Sequence, residues 1–333
     1  MKWYIASLSA LCLAIALGST STVGQSRDSV AAHEAASKAA AGQEWPGLYT
    51  QLCTPADRAT NPPRGRGAAT PRGAGAGRGA AAPNIPDRAQ WHHEPAKIFD
   101  NLDFVGVNDV ASWAVTTSQG IILIDALNDY AVEDEVVGGL KKLGLDPKQI
   151  KYVIVSHGHV THFGGAKFLQ DTYGARVRLA ATDWDLIEGT QGAQPKPKRD
   201  MVITDGQKLT LGDTTITMYL TPGHTPGAIS YLIPVKDKGQ PHVVALSGIS
   251  SATGAENLKT HIASAARFAD IVGKANADVM ISDEDHFANY IKKIDTMTAS
   301  HSGPDAFIVG NGAVKRYLTV VGECSAAVLA SLQ

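Results

Sequence analysis

The sequence predicts one α/β domain whose sheets are covered by helices, and two observations lead there. From Trp91 onward, short β-branched runs come in groups separated by helical stretches. No single strand–helix alternation persists along the chain, as a plain doubly wound sheet would require. A chain of 333 residues with 44% hydrophobic content can bury one sizeable core, or at most two. A formal net charge of -2 gives no global argument for nucleic-acid or anionic-membrane partners.

The chain opens with "MKWYIASLSALCLAIALGSTSTVGQS", which holds one lysine, an apolar run from Trp3 to Leu17 and small residues before Gln25. Residues 1–24 read as a secretory signal peptide, cleaved between Gly18 and Gly24. The run is shorter than the roughly 20 residues a spanning helix needs, so no stable membrane span is expected after cleavage. Leu11 before Cys12 does not fit a lipid-attachment pattern. The expected location is periplasmic or secreted. Cys12 leaves with the signal, and an oxidising compartment then permits a disulfide between Cys53 and Cys324.

Residues 25–90 read as an N-terminal segment containing a flexible linker. Within it, "TNPPRGRGAATPRGAGAGRGAAAPNIP" (Thr60 to Pro86) has almost no large apolar residue and cannot offset its ordering entropy by burial. Arginine–glycine composition also suits nucleic-acid binding, but no stacking aromatics are interleaved, so a spacer is the better reading. Before the linker, "EWPGLYTQLC" suits a short helix packing back onto the domain.

The folded domain is expected over residues 91–333. Its first strands lie in "FDNLDFVGV" and "ASWAVTTSQGIILIDAL", followed by the helical "AVEDEVVGGLKKLG". The strand "IKYVIVSH" leads into a histidine-rich loop and the helix "GGAKFLQDTYG". After "VRLAAT" comes a loop rich in Pro, Lys and Gly from Gly189 to Asp200. Strands follow in "QKLTLGDTTITMYLT", "ISYLIPV" and "HVVALSG", then helices and a final strand–helix pair.

The chemistry concentrates in "VIVSHGHVTHFGGA", which places His157, His159 and His162 within six residues. The first two stand at i and i+2, which point to different faces of a helix. This is therefore not the i, i+4 zinc helix of metalloproteases. On a loop leaving a strand end, alternate residues can converge on a metal, and Gly164 with Gly165 lets the backbone approach a ligand. Imidazole suits zinc, iron, copper or nickel, and redox silence favours zinc. His224 lies in "LTPGHTPGAISYL", framed by two Pro-Gly pairs, and His286 follows a buried-looking strand in "VMISDEDHFANYIKKI". His33, His92, His93, His242, His261 and His301 read as surface or packing residues.

From Trp91 onward the chain resembles the metallo-β-lactamase superfamily, most closely the class B subclass 3 β-lactamases. The resemblance rests on "SHGHVTHFGGA", "TPGHTPGAISYLI", the first strands with Asp125 at a strand end, and the closing "GPDAFIVGNGAVKRYLTVVGEC". It implies an αββα sandwich of two mixed β-sheets covered by helices, with the metal site at one edge between them. His157, His159 and His224 would hold a first zinc. His162 and His286 would belong to a second site, whose third ligand in the family is an aspartate; here that position is Thr161. Ser251, with Ser250 beside it, is the candidate for contacting a substrate carboxylate.

The implied activity is that of an exported zinc hydrolase opening β-lactam rings by means of a zinc-bound hydroxide, acting as a monomer on a small molecule. Three neutral imidazoles suffice for a catalytic zinc. Without an anionic ligand at Thr161, the second Zn2+ site is expected to be weak or empty. Loss of positioned acid–base help costs about 10²–10⁴ in rate, so turnover is expected to be slow. Two alternatives keep the same scaffold: hydrolysis of another ester, lactone or thioester, or a degenerate protein that binds without turnover.

Overall fold

The computed structural model describes residues 22–53, 85, 87–192, 194–249, 251–301 and 303–333. Residues 1–21 of the expected signal peptide, nearly all of the arginine–glycine linker, and Ser250 lie outside the described residues.

Two mixed sheets stack face to face. The first has seven strands in sequence order: β1 Ala96–Phe99, β2 Leu102–Phe104, β3 Trp113–Thr117, β4 Gly120–Ile124, β5 Ile150–Ile154, β6 Arg176–Ala180 and β7 Met201–Ile203. Its first four strands pair antiparallel and the remaining pairings are parallel. The second sheet runs β12-β11-β10-β9-β8, with β8 Gln207–Leu211, β9 Thr214–Leu220, β10 Ile229–Asp237, β11 Gln240–Ser247 and β12 Val279–Ser282. Only the β11–β12 pairing is parallel here.

Strand periodicity explains the layering. In β4, Ile122 and Ile124 enter the core between the sheets, whereas Ile121 and Leu123 face the helices outside. In β12, Val279 and Ile281 point inward and Met280 outward. A strand buried on both faces reads as a continuous apolar run, as "GIILI" does. Helices α3 Gly138–Lys142, α4 Val160–Phe163, α5 Ala166–Tyr173 and α6 Ala181–Gly189 accompany the first sheet. They bury Leu140, Phe163, Leu169 and Trp184 against it, each contributing on the order of 1.5–3 kcal/mol.

The second sheet is covered by α7 Ala255–Lys274 and α10 Asn311–Ser331, through Phe268, Val272, Tyr317 and Val321. Helices α1 Thr22–Ala41 and α2 Pro46–Cys53 lie on α10. The short helix expected from "EWPGLYTQLC" is α2, with Leu48, Leu52 and Cys53 buried. Trp45 stacks edge-on against Tyr317 and donates its indole N–H to the Ala313 carbonyl at 2.7 Å. A disulfide between Cys53 and Cys324 closes this layer. The architecture is an αββα sandwich. No helix among the described residues is long and apolar enough to cross a membrane.

Candidate metal centre

The C-terminal ends of β4, β5, β9, β11 and β12 meet at one edge of the sandwich. The two sheets are tied there by the Ile229 amide, which donates to the Ser156 carbonyl at 3.0 Å. His157 and His159 follow β5, and His162 lies in α4. His224 sits between β9 and β10, while Asp283 to His286 follow β12 and enter the short helix α8 Asp285–Ala288.

His157, His159 and His224 converge, with ligand atoms within 4.8 Å of one another. Hydrogen bonds decide which nitrogens face inward. Ser156 Oγ gives its proton to Asp125 Oδ2 at 2.8 Å, so its 3.1 Å contact with His157 Nδ1 requires that nitrogen to donate. Nε2 of His157 is then bare, buried and without a hydrogen-bond partner. His224 Nδ1 donates to the Ser251 carbonyl at 2.7 Å, which leaves its Nε2 facing His159 Nδ1 at 3.0 Å. Burial, and then the neighbouring His162, His224 and His159, hold the His157 imidazole well below its usual range and therefore neutral. A bare, desolvated nitrogen beside two further imidazoles fits a divalent cation. The donor set and its outer hydrogen bonds are both in place, as metal-binding histidines require.

A second cluster lies alongside. His162, fully buried, donates from Nδ1 to Asp125 Oδ2 at 2.8 Å. Asp125 also accepts the Ser156 amide at 2.6 Å and adopts a left-handed backbone with φ 66°, a strain typical of functional sites. Burial pulls the His162 imidazole down, but Asp125, then Glu284 and Asp283, outweigh it and carry it up to about 10. Asp283 is buried 3.4 Å from His157 Nδ1, and burial pushes its carboxyl up to about 7. Ligand atoms of His157, His162 and Asp283 also fall within 4.8 Å of one another.

His286 does not join His162 directly. Glu284 stands between them, with Oε1 3.8 Å from His162 Nε2 and Oε2 3.1 Å from His286 Nε2. Burial opposes ionisation of Glu284, but the neighbouring His162 and His286 imidazoles hold the carboxyl below the usual range. Thr161 is half-buried in α4. Ser251 is exposed, its carbonyl held by His224.

A Cβ at Gly165 would lie 2.2 Å from the Ala126 carbonyl, and one at Gly164 would lie 2.8 Å from the Asp129 amide. The glycines let the histidine segment press against the chain leaving β4. His261, read as a surface or packing residue, is the latter: it is fully buried beneath Gly223, with Nδ1 2.9 Å from Ser325 Oγ.

Sequence reasoning missed Asp183. Its buried carboxylate accepts from the Gly158 amide at 2.7 Å, the Thr225 hydroxyl at 2.6 Å and the Gly227 amide at 2.7 Å. It thereby joins the loop of His157 and His159 to that of His224. Burial pushes its carboxyl up, while the three donors pull the other way. The only signal in the sequence was an acidic residue in a helix's first turn.

A sequence model described as the metallo-β-lactamase superfamily matches residues 105–237, which span both histidine segments. The chain carries a metallo-β-lactamase superfamily domain. Its fold is similar to the BJP-1 subclass B3 metallo-β-lactamase of Bradyrhizobium japonicum, at 26% identity and TM-score 0.58, covering 68% of this chain and 89% of that one. It is also similar to the Rm3 metallo-β-lactamase, at 25% identity and TM-score 0.62, covering 73% and 96%. Among curated proteins, a hydroxyacylglutathione hydrolase of Acidiphilium cryptum (strain JF-5) is 33% identical over 126 residues, 37% of this chain and 44% of that protein. An N-acyl homoserine lactonase of Bacillus sp is 30% identical over 111 residues, 32% and 42%. This chain thus spans less than half the length of those two curated relatives. The superfamily is metal-dependent and its members are hydrolases.

Proposed function

We propose that this metallo-β-lactamase-fold protein is an exported zinc hydrolase that opens β-lactam rings, with His157, His159 and His224 as the ligands of its first metal. The observation that carries the reading is the 3.0 Å approach of His224 Nε2 to His159 Nδ1 beside the bare, buried Nε2 of His157. A zinc ion on this set would supply Lewis acidity and a water ionisable near neutral pH. Asp183 keeps the two histidine segments in register, and Asp125 orients Ser156 and His162. Thr161 offers a hydroxyl where a carboxylate would orient the nucleophile, so turnover is slow. Ser251, whose carbonyl accepts from His224, would meet a substrate carboxylate. The subclass B3 neighbours support the substrate class, and the Cys53–Cys324 disulfide supports export.

The hydroxyacylglutathione hydrolase and lactonase relatives favour a second reading, in which the same site cleaves a thioester or lactone. Zinc-loaded protein assayed against penicillins, cephalosporins and carbapenems, and in parallel against thioesters and lactones, separates the two. Zinc-dependent turnover confined to the second panel moves the assignment there. No turnover in either panel with excess zinc leaves a binding protein on a hydrolase scaffold.

A further inference from the structure

We propose that an open cavity at the end of the sandwich away from the histidines binds a small organic carboxylate, with Arg178 as its charge partner. The site stands apart from the hydrolase reading and uses none of its residues. The cavity holds about 410 Å³ and lies where strands begin: Gln119 precedes β4, Ile150 starts β5, Arg176 starts β6, and Leu211 ends β8. The histidines follow the other end of β5, roughly 16 Å away at about 3.3 Å per strand residue.

The first observation is an uncompensated charge. Val177 and Leu179 face the helices and Ala180 the space between the sheets, so Arg178 shares the inner face. It is 6% exposed, and its Nε and Nη1 have no hydrogen-bond partner. Asp200, the one carboxylate that acts on its charge, is already committed. Oδ1 of Asp200 accepts Arg176 Nη2 at 2.6 Å, and Oδ2 accepts Arg176 Nε at 2.7 Å and the Val177 amide at 3.1 Å. Arg178 is left without an ion pair among the described residues. Burial pulls its guanidinium below the usual value, and a bound anion would offset that cost.

The second observation is direction. Tyr152 stands opposite Arg176 and Ile154 opposite Arg178. Yet the Arg178 guanidinium carbon lies 5.2 Å from the centre of the Tyr152 ring. The side chain therefore leans back by one pair toward the strand starts, where Tyr152 lines the cavity. The face of the ring offsets part of the charge but leaves Nε and Nη1 unpaired.

The lining selects the ligand. Tyr152, Tyr173 and Leu211 supply apolar surface, and Lys151 adds a second cation. A planar carboxylate matches the guanidinium fork, and an aromatic body suits the two tyrosines.

The test is calorimetric titration of the full disulfide-bonded chain with benzoate, and with benzamide as its neutral counterpart. Benzoate should bind at least roughly 10-fold more tightly than benzamide, and Arg178→Met should remove that preference. His224→Ala, which lacks a first-site metal ligand, should bind benzoate as wild type does. Equal affinity for the two probes overturns the proposal, as does Arg178→Met retaining the preference. Loss of benzoate binding in His224→Ala overturns it too, since the carboxylate then sits at the metal centre. Should Arg178→Met fail to fold, amide chemical shifts of wild type decide. Benzoate moving Gln119, Gly174 and Arg176 supports the site, and movement confined to Gly158 and Thr225 rejects it. No heat and no shift at millimolar benzoate rejects it as well.

Discussion

The carboxylate of Asp183 accepts the amide of Gly227 at 2.7 Å, across a gap of 44 residues in the chain. With the Gly158 and Thr225 bonds, one buried side chain holds the two segments that carry His157, His159 and His224. A Cβ on Gly227 would sit 2.7 Å from Asp183 Oδ1, so the approach depends on glycine. Asp183→Ala leaves three donors facing an apolar gap. Its expected cost is about 3–5 kcal/mol in denaturant unfolding, with first-site zinc affinity down about 10–100-fold in a chelator competition. A variant that binds zinc like wild type shows that the clamp does not position the ligands.

Thr161 is half-buried beside the fully buried His162. Thr161→Asp adds a carboxylate next to the site, and is expected to raise zinc occupancy and the hydrolytic rate together, the latter by about 10²–10⁴. Steady-state kinetics with zinc analysis on the same preparations checks this. Unchanged values for both remove Thr161 from the account of slow turnover.

Cys53 and Cys324 are bonded across 271 positions, fastening α2 to α10. Replacing both with serine is expected to cost about 2–5 kcal/mol, read as a lower denaturation midpoint. Zinc stoichiometry should not change, because the disulfide lies on the outer face of the second sheet. Equal stability in reduced and oxidised protein contradicts this.

Lys293 places Nζ 5.1 Å over the Trp45 ring and 5.4 Å over that of Phe307, with no hydrogen-bond partner. Burial pulls its ammonium down from 10.5 to about 8. Between pH 8 and 10.5 the unfolded chain therefore binds more protons than the folded one, and stability rises with pH across that window. The two rings offset part of the cost of burying the charge. Lys293→Met should be more stable than wild type at pH 7 by about 1–3 kcal/mol and should flatten the rise. Denaturant titrations at pH 7, 9 and 10.5 read both effects.

Much of the centre was legible because its donors are local. His157, His159 and His162 cluster after an apolar strand run, and a strand end followed by glycines turns that spacing into convergence. His224 was legible through its Pro-Gly frame. Asp183 was not, because its role consists of bonds to residues 25, 42 and 44 positions away. The relation of His286 to His162 was equally hidden. Both were expected in one site, yet only side-chain packing at the end of β12 shows that Glu284 stands between them.

The sequence by itself determined the layered α/β architecture, since continuous apolar runs such as "GIILI" must be covered on both faces. It also determined which histidines were available to a metal and that position 161 lacks a carboxylate. Only the tertiary structure decided how the two sheets meet at one edge and that Cys53 reaches Cys324. It alone decided which carboxylates surround His162. Those are matters of distance between strand ends far apart in the chain, and pattern along a sequence carries periodicity but not distance.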